Sequence, residues 1–122
     1  MKVTEIAFVV YPVADLKRAR QFYEGALGLA ATKVYGDDTN GMVEYDIAGG
    51  TLSLGCGASQ FTPSPGGGSA ALEVDDFEEA VSRIRASGCK FVTEPVETPV
   101  CHIAIFSDPD GNTVMLHRRK NV

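Results

Sequence analysis

The 122-residue chain is long enough for one compact domain, and its 44% apolar content is too high for a disordered chain. A net charge of −5 argues against nucleic acid, whose phosphates call for a basic face, and only the terminal Arg118-Arg119-Lys120 run is basic. No apolar run approaches bilayer length, so no membrane partner is expected.

Met1-Lys2-Val3 leads straight into an apolar stretch with no signal-peptide pattern, and a cytoplasmic location is expected. Residues 4–10 form a run of strand length, rich in Val, Ile and Phe. Tyr11-Pro12 is expected to end it, because proline cannot continue a central ladder. Asp15 is a candidate helix N-cap. Behind it, Leu16, Ala19, Phe22, Tyr23 and Ala26 recur at helical spacing, while Lys17, Arg18, Arg20, Gln21 and Glu24 face outward. Gly28 fits the left-handed position that closes a helix. Strands are expected at 31–35, 42–47 and 51–54, separated by Gly- and Asp-rich turns. Residues 56–68, rich in Gly, Pro and Ser, read as a linker.

The second half repeats this order. Residues 69–74 form the opening strand, and Asp75 or Asp76 caps a helix with Phe77, Ala80, Val81 and Ile84 on its apolar side. Gly88 stops it. Residues 90–93 form a strand, and 94–99 a turn region with two prolines. Residues 100–106 and 113–117 form a hairpin around Asp108-Pro109-Asp110-Gly111-Asn112, which explains both aspartates as turn residues. The three cysteines, Cys56, Cys89 and Cys101, are odd in number and lack close pairing, so neither disulfides nor a zinc knuckle is expected. The reading is an α+β chain of two βαβββ modules: a single domain over 1–122, with module 1 at about 1–58, a linker at about 59–67 and module 2 at about 68–122.

Four segments carry a family resemblance: Val13-Ala14-Asp15-Leu16, Phe22-Tyr23-Glu24-Gly25-Ala26-Leu27-Gly28-Leu29, Val74-Asp75-Asp76 and Asp108-Pro109-Asp110-Gly111-Asn112. In these the chain resembles the vicinal-oxygen-chelate superfamily of glyoxalases, bleomycin-resistance proteins and extradiol dioxygenases. The resemblance implies a cup-shaped mixed sheet with helices on its outer face, and a homodimer. It also implies four metal-ligand positions, which here fall on Phe8, Ser53, Ser69 and Met115. None supplies an imidazole or a carboxylate, and a divalent site needs two or three converging N or O donors. The expectation is therefore no metal and no cofactor.

Strand alternation then lists what faces the cup. From the first half come Phe8, Ser53, Gly55 and, if Val43, Tyr45 and Ile47 pack on the helix, Glu44 and Asp46. From the second come Ser69, Ala71, Glu73, Cys101, Ile103, Ile105, Met115 and His117. An apolar floor with a few polar groups suits a small organic ligand. His117 is the candidate general base or orienting group, set against a solvated rim histidine. His102 falls on the opposite face and is expected to pack under a helix or at an edge. Cys101 is either a nucleophile beside His117 or a buried small hydrophobe. Three readings stand: a metal-free binding protein, an enzyme using His117 or displaced metal ligands, and an interaction subunit whose cup is filled by its own side chains.

Overall fold

The structure is a computed structural model that describes residues 1–59 and 61–121; Gln60, in the expected linker, and Val122 lie outside the described residues. The chain divides into two compact units, Met1–Pro63 and Ser64–Val122.

Unit 1 contains β1 (Val9–Pro12), α1 (Leu16–Arg20) running into a π-helical stretch (Gln21–Ala26), β2 (Lys33–Gly36), β3 (Gly41–Ile47) and β4 (Gly50–Cys56). Its sheet has the order β1-β4-β3-β2, with β1 parallel to β4 and the other pairs antiparallel. Unit 2 contains β5 (Ala70–Glu73), α2 (Phe77–Ala86), β6 (Phe91–Glu97), β7 (Cys101–Ser107) and β8 (Thr113–Arg119). Its order is β5-β8-β7-β6, with β5 parallel to β8. The expected βαβββ plan is thus present in both halves.

Local chemistry explains the helices. The Asp15 carboxylate accepts the Arg18 N–H at 3.0 Å, and Asp76 accepts that of Glu79 at the same distance. Each thereby satisfies a donor that the first turn leaves free. Gly28 and Gly88 follow the helices at φ 69° and 83°, a region costly for side chains with a Cβ. In unit 1 the apolar face buries Leu16, Ala19 and Tyr23 against Val43, Tyr45, Leu52 and Leu54. Tyr23 lies between Tyr11 and Tyr45, 6.3 Å from each ring centre. In unit 2, Val81 and Ile84 of α2, which packs on β8, are buried, as are Ala104, Phe106, Val114 and Leu116.

Three expectations need correction. The opening strand begins at Val9 rather than residue 4 and includes Tyr11 and Pro12. Proline is tolerated because β1 is an edge strand. Phe8 therefore precedes the strand and is 47% exposed, so sheet alternation does not place it on either face. Pro95 likewise lies inside edge strand β6, where the pairing to β7 shifts register.

The third correction concerns Arg20 and Glu24, expected on the outer helix face. Both are half-buried: Arg20 Nε donates to Glu24 Oε2 at 2.7 Å, and the buried Tyr45 hydroxyl donates to the same oxygen at 2.9 Å. The widened π-helical turn, in which Leu27 N–H reaches Phe22 O, begins directly after Arg20. The Arg20 bond, joined by that of Tyr45, holds the Glu24 carboxyl below the ordinary carboxylate range despite its partial burial. Burial and the adjacent carboxylate push the Tyr45 phenol up.

A depressed native pKa means that Glu24 stabilises the fold above its unfolded value, near 4.5, and that this contribution is lost as pH falls through the native value. Glu24→Gln is expected to be less stable than wild type at pH 7. The gap should shrink as pH falls below about 4.5. Urea denaturation of both proteins from pH 7 to pH 3 checks this; a gap independent of pH would refute it.

Candidate functional site

Each sheet has one face covered by its helix and an opposite, open face that no helix of its own unit covers, although Ser53 and Gly55 on that face of unit 1 are buried. In unit 1 the cross-strand register puts Val10, Ser53, Glu44 and Lys33 in one row, and Pro12, Gly55, Met42 and Tyr35 in the next. Both rows alternate with the helix-facing Tyr11, Leu54 and Val43 and so lie on the open face. Val43 and Tyr45 pack toward the helix as expected, whereas Ile47 is 39% exposed. Glu44 is half-buried; Asp46 is exposed and accepts the Thr51 hydroxyl at 2.8 Å.

Ser53 is fully buried, and its Oγ has no hydrogen-bond partner among the described residues. Two residues on, a Cβ at Gly55 would stand 2.8–3.0 Å from three atoms of the Phe61 ring. Phe61 thus lies against bare backbone. Phe61 belongs to the stretch expected to be a linker, where no role is expected of it; the available signal is an aromatic side chain in a Gly- and Ser-rich stretch that follows a strand glycine.

In unit 2 the open face carries Glu73, His117, Ile103 and Val96 in one row and Ala71, Met115, Ile105 and Thr93 in the next. Cys101 pairs with Arg119, one row beyond His117. It is buried, with its sulfur 3.3 Å from the Thr98 hydroxyl, which fits the small-hydrophobe reading. Ser69 donates to the Thr113 carbonyl and accepts from the Thr113 hydroxyl, both at 2.9 Å. On the helix side, His102 sits 5.5 Å from the Phe77 ring at the start of α2, as expected.

The chemistry of this face centres on a pair. His117 Nδ1 lies 2.6 Å from Glu73 Oε1, while Glu73 Oε2 accepts the Arg119 backbone N–H at 2.6 Å. The Arg119 bond first, and the His117 bond second, hold the Glu73 carboxyl below its ordinary range. An ionised carboxylate can only accept, so Nδ1 must carry the proton. In the neutral imidazole, Nε2 then presents a lone pair, and among the described residues it has no partner. Such an arrangement can accept a proton or orient a donor group of a ligand.

The four family metal positions do not fit a divalent ion. Phe8 has no donor atom and Met115 only a soft thioether, while both Ser69 bonds go to Thr113. Among the described residues no three His, Cys, Asp or Glu side chains come together as a metal site. Nor does any helix there have the length and apolarity to cross a membrane.

Comparison with known proteins agrees with this architecture. The antibiotic-binding protein TnmS3 from Streptomyces sp. CB03234 shares the fold with a TM-score of 0.81 at 24% identity, over 98% of this chain and 99% of that one. A glyoxalase/bleomycin resistance protein from the same organism superposes with a TM-score of 0.75 at 26% identity, over 92% and 98%. A Brassica oleracea var. gemmifera protein named "Putative lactoylglutathione lyase" is 29% identical over 91% of this chain, which spans 43% of its length. The family model described as Glyoxalase/Bleomycin resistance protein/Dioxygenase superfamily matches residues 5–116, and the chain, two βαβββ units with an open sheet face each, belongs to that superfamily.

Proposed function

We propose that this protein binds a small organic ligand on its open sheet faces without a metal ion. The observation that carries the reading is the chemistry of the four family ligand positions, where Phe8, Ser53, Ser69 and Met115 stand in place of imidazoles and carboxylates. The open faces instead present apolar side chains with a few polar groups, the composition of a small-molecule pocket. The antibiotic-binding description of TnmS3 supports the same class of ligand. Pairing into a homodimer belongs to this proposal.

Calorimetric titration of the purified protein with Zn²⁺, Ni²⁺, Mn²⁺ and anaerobic Fe²⁺ is expected to show no stoichiometric binding. A thermal-shift screen of small organic molecules is expected to give hits, because a ligand at a hundred times its Kd stabilises the native state by about 2.7 kcal/mol. One metal per chain, or no hit in a broad screen, would overturn the reading.

The Glu73–His117 pair favours a second reading, in which the protein is an enzyme that uses His117 Nε2 as a general base and Glu73 as the group that sets its tautomer. Nitrogen-15 NMR of the neutral imidazole is expected to show the Nδ1–H tautomer in the wild type. In Glu73→Ala the Nε2–H form, favoured by free imidazole side chains, should take over. An unchanged tautomer would remove Glu73 from that role, and full turnover by His117→Ala on a substrate found in the screen would sink this reading.

A further inference from the structure

We propose that the slot against Gly55 on the open face of unit 1 is a subsite for a neutral, planar aromatic ring carrying one hydrogen-bonding group, and that Phe61 fills it in the free protein. This deepens the small-molecule reading above and rests on it. Two independent observations meet there. The first is shape: the Phe61 ring lies so close to Gly55 that a single added carbon would stand 2.8 Å from it. The floor of the slot is therefore backbone alone, flanked in register by the half-buried Pro12 and Met42. Such a floor accepts a flat group and excludes a branched one.

The second is an unmet polar group. Ser53 Oγ is wholly buried and has no partner among the described residues, although buried hydroxyls are ordinarily bonded. Ser53 is on the same strand face as Gly55, about 7 Å along it at the usual rise per residue. A phenol or aryl ketone seated on Gly55 spans that distance and completes the bond that Phe61, a hydrocarbon, cannot make. Glu44 pairs with Ser53 across the strands, and its carboxylate disfavours an anionic substituent at that end.

Phe61 then acts as an internal competitor. Its backbone N–H is tied to the Ala58 carbonyl at 2.9 Å, so only the side chain has to swing away. Because the ring must leave first, the apparent affinity for an entering ring is reduced by the fraction of molecules in which the slot is open.

The test is fluorescence titration of the full chain with 2-naphthol, with naphthalene and 2-naphthoate as the uncharged ring without a hydroxyl and the anion. Phe61→Ala is expected to bind 2-naphthol about tenfold more tightly than wild type. Ser53→Ala is expected to lose about fivefold for 2-naphthol and nothing for naphthalene. Gly55→Ala should bind neither, and 2-naphthoate should bind more weakly than 2-naphthol throughout. Circular dichroism checks folding, and Phe61→Leu, which also vacates the ring plane, replaces Phe61→Ala if the latter does not fold. Equal or weaker 2-naphthol binding on removal of the Phe61 ring, or an unchanged 2-naphthol affinity in Ser53→Ala, would overturn the proposal. Screen hits that stabilise wild type and Gly55→Ala equally would overturn the slot while leaving ligand binding intact; an empty screen would overturn the reading on which it rests.

Discussion

In each unit the opening strand pairs in parallel with the unit's last strand, β1 with β4 and β5 with β8. Parallel neighbours cannot be joined by a tight turn, so the chain between them must cross over, and here it does so through a capped helix and two further strands. The pairing puts the last strand in the interior of the sheet and brings residues more than forty positions apart side by side: Val10 against Ser53, and Glu73 against His117. Both candidate sites exist only because of it. The tyrosine cluster at 11, 23 and 45 supports the same arrangement in unit 1 by seating the helix on one face and leaving the other open.

The two units share a plan but differ in the chemistry of their open faces. In unit 1 the polar group is a neutral hydroxyl, buried and unmet beside an aromatic ring lying on backbone. In unit 2 it is an ionised carboxylate that fixes the proton of an imidazole on Nδ1, flanked by Ile103 and Met115. The first arrangement offers a flat backbone surface and a single hydrogen-bonding group. The second can also move a proton. The repeated fold thus carries two different sets of polar groups on equivalent faces.

The side chains at the four family ligand positions are a poor set for a divalent ion. A soft thioether, two hydroxyls and a phenyl ring cannot compensate for the cost of stripping water from a hard or borderline divalent ion. Ser69 makes both its bonds to Thr113.

The sequence by itself determined what depends on neighbours along the chain. Helical spacing marked Leu16, Ala19, Phe22 and Tyr23; Asp15 and Asp76 marked the starts, Gly28 and Gly88 the ends. Strand alternation put Ser53, Gly55, Met115 and His117 on the faces they occupy. These signals are local, set by the period of two along a strand or 3.6 along a helix. Alternation failed for Phe8, because where a strand begins is decided by its partner: β1 pairs only from Val9, opposite Leu52. Helical spacing failed for Glu24, drawn inward by a tyrosine 21 residues away. Only the tertiary structure decided that Glu73 lies against His117, that Ser53 lacks a partner among the described residues and that Phe61 lies against Gly55. Each is a contact between segments whose separation carries no periodicity, so its physical cause, the register of paired strands and the path of a linker, has no trace in residue order alone.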